Sequence, residues 1–156
     1  MTDMLVPLYR LPEPPALAAG LIIRPAIPPA AIPPEAYHVT DFVTRHFHAG
    51  WASECQVGLA AQPCKVLIAL QDGELAGFAC FDVTARGFFG PTGVAPSFER
   101  RGIGTQLLLR ALMRLRDAGF AYGIIGAAGP VKFYHKTCGA IPIPDSDPGP
   151  YAGMLS

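Results

Sequence analysis

No apolar run in this chain of 156 residues approaches the ~20 needed to cross a bilayer, although 51% of its residues are hydrophobic. A membrane span is therefore not expected. The opening MTDMLVPLYRLPEPP has no basic region followed by a long apolar one, so it does not read as a secretory signal. Cys55, Cys64, Cys80 and Cys138 form no C-x-x-C pair and have no metal-ligand spacing, and no metal is expected. Two disulfides could be drawn among them, but three of the four fall in segments that read as core. Free, buried thiols in a reducing cytoplasm are the expectation. There is no basic tail, which argues against nucleic acid as a partner. No Gly-Lys-Ser/Thr follows a glycine loop, which excludes a nucleotide-triphosphate loop. There are no internal repeats, and the length suits one domain, 1–156.

Charge is present in balance but not in place. The chain has 12 Lys/Arg and 12 Asp/Glu. From Ser97 to Lys136, seven basic residues face only Glu99 and Asp117, a net of +5, while the remaining residues carry five against ten, a net of −5. The basic part predicts a polyanionic ligand.

Within it, GVAPSFERRGIGTQLLLRALMRLR, Gly93 to Arg116, orders the chain. A short apolar segment ends at Val94, and Pro96 breaks it. Ser97 to Arg101 reads as a polar loop. Gly102-Ile103-Gly104 then opens an amphipathic helix, with Ile103, Leu107, Leu108, Ala111, Leu112 and Leu115 inward and Gln106, Arg110, Arg114 and Asp117 on the wet side. The first turn of a helix has unpartnered N–H groups and the positive end of the macrodipole. Glycines 102 and 104 admit a phosphate to the backbone, and Arg100 and Arg101 add charge beside it. A dinucleotide fingerprint would need a glycine where Leu107 stands. A tight loop before an ordinary core helix is the alternative.

The other segments are read around this stretch. Residues 1–34 contain nine of the 17 prolines, which excludes a continuous helix. Leu21-Ile22-Ile23-Arg24 is the one strand candidate there, and the rest is expected to lie extended over the domain, or to be a linker. Glu35 to about His48 and Trp51 to Leu59 are helical. Lys65 to Leu70 reads as a buried strand, Asp72-Gly73 as a hairpin turn and Leu75 to Val83 as its partner. Phe88 to Val94 is a strand whose two glycines and proline predict a bulge. Ala121 to Gly126 is a parallel strand reached through the crossover helix. Pro130 opens a last helix through Phe133, Tyr134 and Lys136, ended by Gly139. The tail from Ile141, with four prolines, is expected to dock as an irregular segment.

Glu99-Arg100-Arg101-Gly102-Ile103-Gly104 between strand and helix resembles the acyl-CoA loop of the GNAT superfamily of N-acyltransferases, Gln/Arg-x-x-Gly-x-Gly/Ala, with Glu99 departing from the first position. Phe133-Tyr134-His135-Lys136 is similar to that family's last-helix signature. The resemblance covers Lys65 to Ala140, with the acyl-CoA core at 64–140 and acceptor-side helices at 35–60. It implies an α/β (α+β) fold with a mixed central sheet whose parallel strands, Phe88–Val94 and Ala121–Gly126, splay apart between flanking helices. It further implies acetyl-CoA, or another acyl-CoA, as co-substrate. The pyrophosphate would lie against Arg100, Arg101, Gly102, Ile103, Gly104 and Thr105, the pantetheine arm along Gly93 and Val94, and Phe133 beside the cofactor. The Val94 backbone would polarise the thioester carbonyl, and Tyr134 would protonate the departing thiolate. The asparagine often found seven residues before the tyrosine is Ala127 here, and the usual closing Gly-Phe is Gly139-Ala140.

The activity implied is transfer of acetyl to a small-molecule or peptide amine by direct attack. Glu54 is the first candidate base, with His46, His48 and Asp82 behind it; a solvated face explains each equally well. A non-catalytic acyl-CoA-binding or sensory domain is the alternative function, a phosphate-binding α/β protein unrelated to CoA a third, and a homodimer stays open.

Overall fold

The apolar segments on either side of Asp72-Gly73 fold back on each other in the computed structural model, which describes residues 1–26 and 33–156. They are β3, Val66–Gln71, and β4, Glu74–Phe81. Asp72 and Gly73 both take positive φ, 52° and 82°, as a tight hairpin turn needs. The strand expected at Leu21 is β2, Leu21–Pro25, antiparallel to β3. β5, Phe88–Val94, lies antiparallel to β4 on the other side. β6, Tyr122–Ala128, runs parallel to β5 after the crossover helix α3, Ile103–Asp117.

Two short elements, one near each end of the sequence, depart from the sequence-based expectation. The first residues do not merely lie over the domain: Thr2–Pro7 is a strand, β1, antiparallel to β6. A two-residue strand in the tail, β7 at Ile141–Pro142, pairs with β1 in turn. The sheet order is β2-β3-β4-β5-β6-β1-β7, with the first strand in sequence deep in its C-terminal half. Met4 and Val6 explain why: alternate residues of β1, both fully buried, they join the core beneath α3. Of the Pro-rich 1–34 segment, residues 27–32 fall outside the described chain.

Helices cover both faces. On one, α1, Pro33–His46, and α2, Ala49–Ala60, bury Val39, Phe42, Val43, Cys55 and Leu59 against Val66, Ile68, Phe78 and Cys80. On the other, α3 buries Leu107, Leu108, Leu112 and Leu115, and α4, Val131–Cys138, adds Tyr134 and Cys138. Fully burying one such leucine contributes ~1.5–3 kcal/mol, so these two layers fix the sheet between them. Gln106, expected on the wet side of α3, is buried. Its amide donates to the Pro15 carbonyl at 2.7 Å and its oxygen accepts from Arg110 at 2.9 Å, clamping the extended N-terminal chain across the helix. All four cysteines are buried and free, with the Cys55 and Cys80 sulfurs 3.5 Å apart. Among the described residues, no helix is long and apolar enough to cross a membrane.

Candidate active site

The parallel strands β5 and β6 pair only at Phe88↔Ile124 and Phe89↔Ile125. Beyond that point each carries a one-residue irregularity. On β5 the register against β4 slips between Ala79↔Thr92 and Phe81↔Phe89, at Gly90-Pro91, where Gly90 has φ +107°. On β6 the register against β1 slips between Thr2↔Ala128 and Met4↔Ile125, and Ala127 has φ +46°. A bulge twists and bends its strand. Two bulges at the same level, one on each strand, part the strands. From Thr92 to Val94, β5 is paired with β4 on one side and has no paired strand on the other among the described residues.

That open edge leads to the start of α3. Gly102 is its N-cap at φ +78°, a left-handed conformation that glycine adopts without steric cost, and no side chain caps the helix. The N–H groups of Ile103, Gly104 and Thr105 thus belong to an uncapped first turn. A Cβ on Gly102 would meet nothing within 4 Å, and one on Gly104 only Val94 Cγ2 at 3.9 Å, so the approach is clear. Arg100 and Arg101 are exposed beside it. Arg101 stacks on Phe98, 5.4 Å from its centroid, and Arg100 forms no ion pair among the described residues. Open N–H groups, a positive dipole end and two guanidinium groups are the chemistry that suits a phosphate, which makes this the candidate phosphate seat. Gly93 and Val94 lie on the open edge itself. A Cβ on Gly93 would collide with the ring of Phe47, which comes over β5 from the α1–α2 junction.

Tyr134 stands on the α3–α4 side. Its ring meets Phe89 edge-on at 6.4 Å and Phe133 at 5.3 Å, which places the candidate acid beside the last residue of β5 that pairs with β6. Phe133 is partly exposed next to it. Burial, with a smaller contribution from Cys138, pushes the Tyr134 hydroxyl up to about 12. It stays protonated across the physiological range.

Glu54 stands on the opposite, α2 side. The Thr84 hydroxyl donates to Glu54 Oε1 at 2.6 Å and lies 3.5 Å from the Gly90 carbonyl oxygen, so the carboxylate is held at the bulge where the strands part. The other candidate bases are placed otherwise. His48 caps α2, its Nδ1 accepting from the Trp51 N–H at 3.3 Å, and His46 packs on the Phe42 ring at 4.7 Å. Asp82 bonds Lys65 at 2.8 Å, the Gly87 N–H at 2.7 Å and Arg86 at 3.4 Å. Burial works against its charge, but Lys65, the amide and Arg86 outweigh that and hold its pKa below the ordinary value. An acid so fully bonded holds the β4–β5 loop rather than taking protons.

Three residues at this place escaped the sequence reading. Thr84 steadies Glu54. Asp3, buried, accepts from the Ala127 N–H at 2.7 Å and so supports the β6 bulge. Tyr151, in a short helical turn at Gly149–Tyr151, lays its hydroxyl against Gly126, in contact at the place a Cβ would occupy. No motif marks any of them, since they come from the two chain ends and a loop. Only the acid-after-threonine at position 3 and the aromatic in a proline-rich tail were there to be noticed. Among the described residues, no group of three His, Cys, Asp or Glu is placed to hold a metal.

The sequence from residue 31 to 140 matches the acetyltransferase (GNAT) family. Comparison with curated proteins gave no match. Among solved structures, the fold is similar to a GCN5-related N-acetyltransferase of Sphaerobacter thermophilus, with TM-score 0.71 and 19% identity over 91% of this chain and 48% of that one. It is also similar to the glucosamine N-acetyltransferase region of a fungal multi-domain β-N-acetylglucosaminidase, with TM-score 0.72 and 17% identity over 91% of this chain and 19% of that one. A GNAT family N-acetyltransferase of Escherichia coli in complex with CoA matches with TM-score 0.51 and 21% identity over 68% of this chain and 62% of that one. The chain spans about a fifth of the fungal protein and about half of the bacterial one from Sphaerobacter. The family match covers well over half of the chain, and the parted parallel strands agree with it: the chain belongs to the GNAT family of acetyltransferases.

Proposed function

We propose that the chain is an acyl-CoA-dependent N-acyltransferase that moves acetyl from acetyl-CoA to an amine by direct attack. The observation that carries this reading is the free edge of β5 after Phe89, which runs from the uncapped start of α3 to a gap with Glu54 on one face and Tyr134 on the other. Ile103, Gly104 and Thr105 would receive the pyrophosphate through their N–H groups, with Arg100 and Arg101 beside them. Gly93 and Val94 would offer backbone groups to the pantetheine amides, and the Val94 N–H would stabilise the charge that grows on the thioester oxygen.

The amine would enter from the α2 side. Its nitrogen forms the new N–C bond, the C–S bond breaks, and the proton shed by nitrogen goes to Glu54 directly or through water. The departing sulfur meets the Tyr134 hydroxyl. A thiol ordinarily titrates near ~8.5, well below about 12, so full proton transfer from the resting phenol is uphill. Tyr134 therefore stabilises the thiolate first as a hydrogen-bond donor, and gives up its proton only as polar groups of the acyl donor replace its apolar surroundings. The test is calorimetry with acetyl-CoA, followed by free-thiol release over a panel of amines. Binding with amine-dependent release is expected. Tight binding with no release by any amine would support the non-catalytic binder instead.

A further inference from the structure

The C-terminal turn reaches the gap between the parted strands, and nothing in the family motif assigns it a task. Gly126 is the first residue of β6 beyond its last pairing with β5. The space where its side chain would stand is taken by the Tyr151 hydroxyl and by the edge of the Phe88 ring, 3.1 Å from that point. Ile125, its neighbour, points into the α3 core, so Gly126, Phe88 and Tyr151 meet on the α2 face, where Glu54 also stands. The turn is pinned there from the other chain end. Ser146 Oγ bonds the Asp3 N–H at 2.8 Å, the Ile143 N–H bonds the Asp3 carbonyl at 2.8 Å, and the Asp3 carboxylate faces Gly149. Burial and then the carboxylates of Glu54 and Asp3 oppose ionisation of Tyr151, so its hydroxyl is a proton-bearing group in an acidic surrounding.

We propose that Tyr151 is a specificity-determining residue of the acceptor subsite, where its hydroxyl and the Glu54 carboxylate together receive a cationic primary amine and disfavour an amine that carries a carboxylate beside its nitrogen. The inference rests on the acyltransferase reading for its direction of entry. A primary ammonium has three donors. Glu54 has one oxygen occupied by Thr84 and another to accept with, and the Tyr151 oxygen, against Gly126 on the same face of the sheet, supplies a second acceptor. The carboxylates of Glu54 and Asp3 both act on Tyr151, and carboxylates attract a cation and repel an anionic acceptor. The Tyr151 side chain and the Phe88 ring also narrow the floor above Gly126, favouring a slim amine.

The experiment is calorimetry on the full chain saturated with CoA, titrated with benzylamine, spermidine and glutamate as probes, and repeated with Tyr151→Phe, Tyr151→Ala and Glu54→Gln. The amines are expected to bind and glutamate not to. Tyr151→Phe should weaken benzylamine about tenfold with CoA affinity unchanged, and Glu54→Gln should erase the preference for cations. Tyr151→Ala should narrow the difference between benzylamine and a bulkier N-alkyl benzylamine. Glutamate binding as tightly as the amines would overturn the proposal. So would an unchanged benzylamine affinity in Tyr151→Phe, absence of amine binding, or a fall in CoA affinity that parallels the fall for the amine. Because this reads binding, a protein that binds amines as expected but releases no thiol would refute the acyltransferase reading and leave the subsite standing.

Discussion

The carboxylate of Asp3 accepts a hydrogen bond from the backbone N–H of Ala127 at 2.7 Å, although the two are 124 residues apart. Ala127 holds a left-handed φ of +46°, which costs a residue with a Cβ ~1–2 kcal/mol. Asparagine would tolerate the conformation better than alanine; here an acid from another strand offsets the cost. Asp3→Ala is expected to destabilise the fold by ~1–3 kcal/mol, the range for stranding a partner of a buried charged group, while Asp3→Asn retains an acceptor oxygen and loses less. Urea unfolding midpoints check this; equal midpoints for wild type and Asp3→Ala would remove Asp3 from the support of the β6 bulge.

At the start of α3, Gly104→Glu should abolish acetyl-CoA binding by filling an open approach with bulk and negative charge. Arg100→Ala and Arg101→Ala should each weaken it by roughly 1–3 kcal/mol. Arg101 rests on Phe98, so its loss also frees that ring, whereas Arg100 forms no ion pair among the described residues. Calorimetry on folded variants decides it, and a Gly104→Glu protein that binds normally would move the pyrophosphate elsewhere.

Tyr134→Phe keeps the ring against Phe89 and Phe133 and removes the hydroxyl. Acetyl-CoA affinity should change little while kcat falls by roughly 10²–10⁴, the range for a lost proton donor or a lost donor to developing charge. Full turnover in the phenylalanine variant would leave Tyr134 as packing and assign the sulfur's proton to water.

Alkali should loosen the α4 side of the core. Burial raises Cys138 from 9 to about 11 and Tyr134 from 10 to about 12, so both are protonated more readily in the folded chain than in the unfolded one. Their contribution is complete below pH 9 and is lost as pH rises through about 11 and then about 12. Denaturant midpoints should therefore fall across that window, and Tyr134→Phe should lose less between pH 10 and 12 than wild type. Parallel losses in the two proteins would show that the Tyr134 hydroxyl is not what titrates.

Local signals in the sequence were enough to find the hairpin at Asp72-Gly73, the α3 helix with its apolar stripe, and the bulge at Gly90-Pro91, because each depends on residues adjacent in the chain. What depends on distant partners was not legible. MLVP in β1 is too short and too near a proline to announce a strand, and it becomes one only because β6 offers an edge for it. Gln106 is polar and reads as exposed until the Pro15 carbonyl arrives from 91 residues earlier. The same holds around the candidate site. Its candidate phosphate seat is contiguous and carries a motif, whereas the α2 side is assembled from Glu54, Thr84 and Tyr151, three segments with no fixed spacing. Glu54 was legible as the first of four candidate bases but with nothing to set it apart; the Thr84 hydrogen bond at the bulge is what distinguishes its placement from that of Asp82.

The most direct test of the account is to incubate the wild-type chain with acetyl-CoA and a panel of amines, and to follow free thiol and the amine together by mass spectrometry. Equal amounts of CoA and of an amine heavier by one acetyl group are expected, formed only when protein, acetyl-CoA and a cationic amine are all present. Thiol released at the same rate without amine, or no acetylated amine from a protein that binds acetyl-CoA, would contradict it.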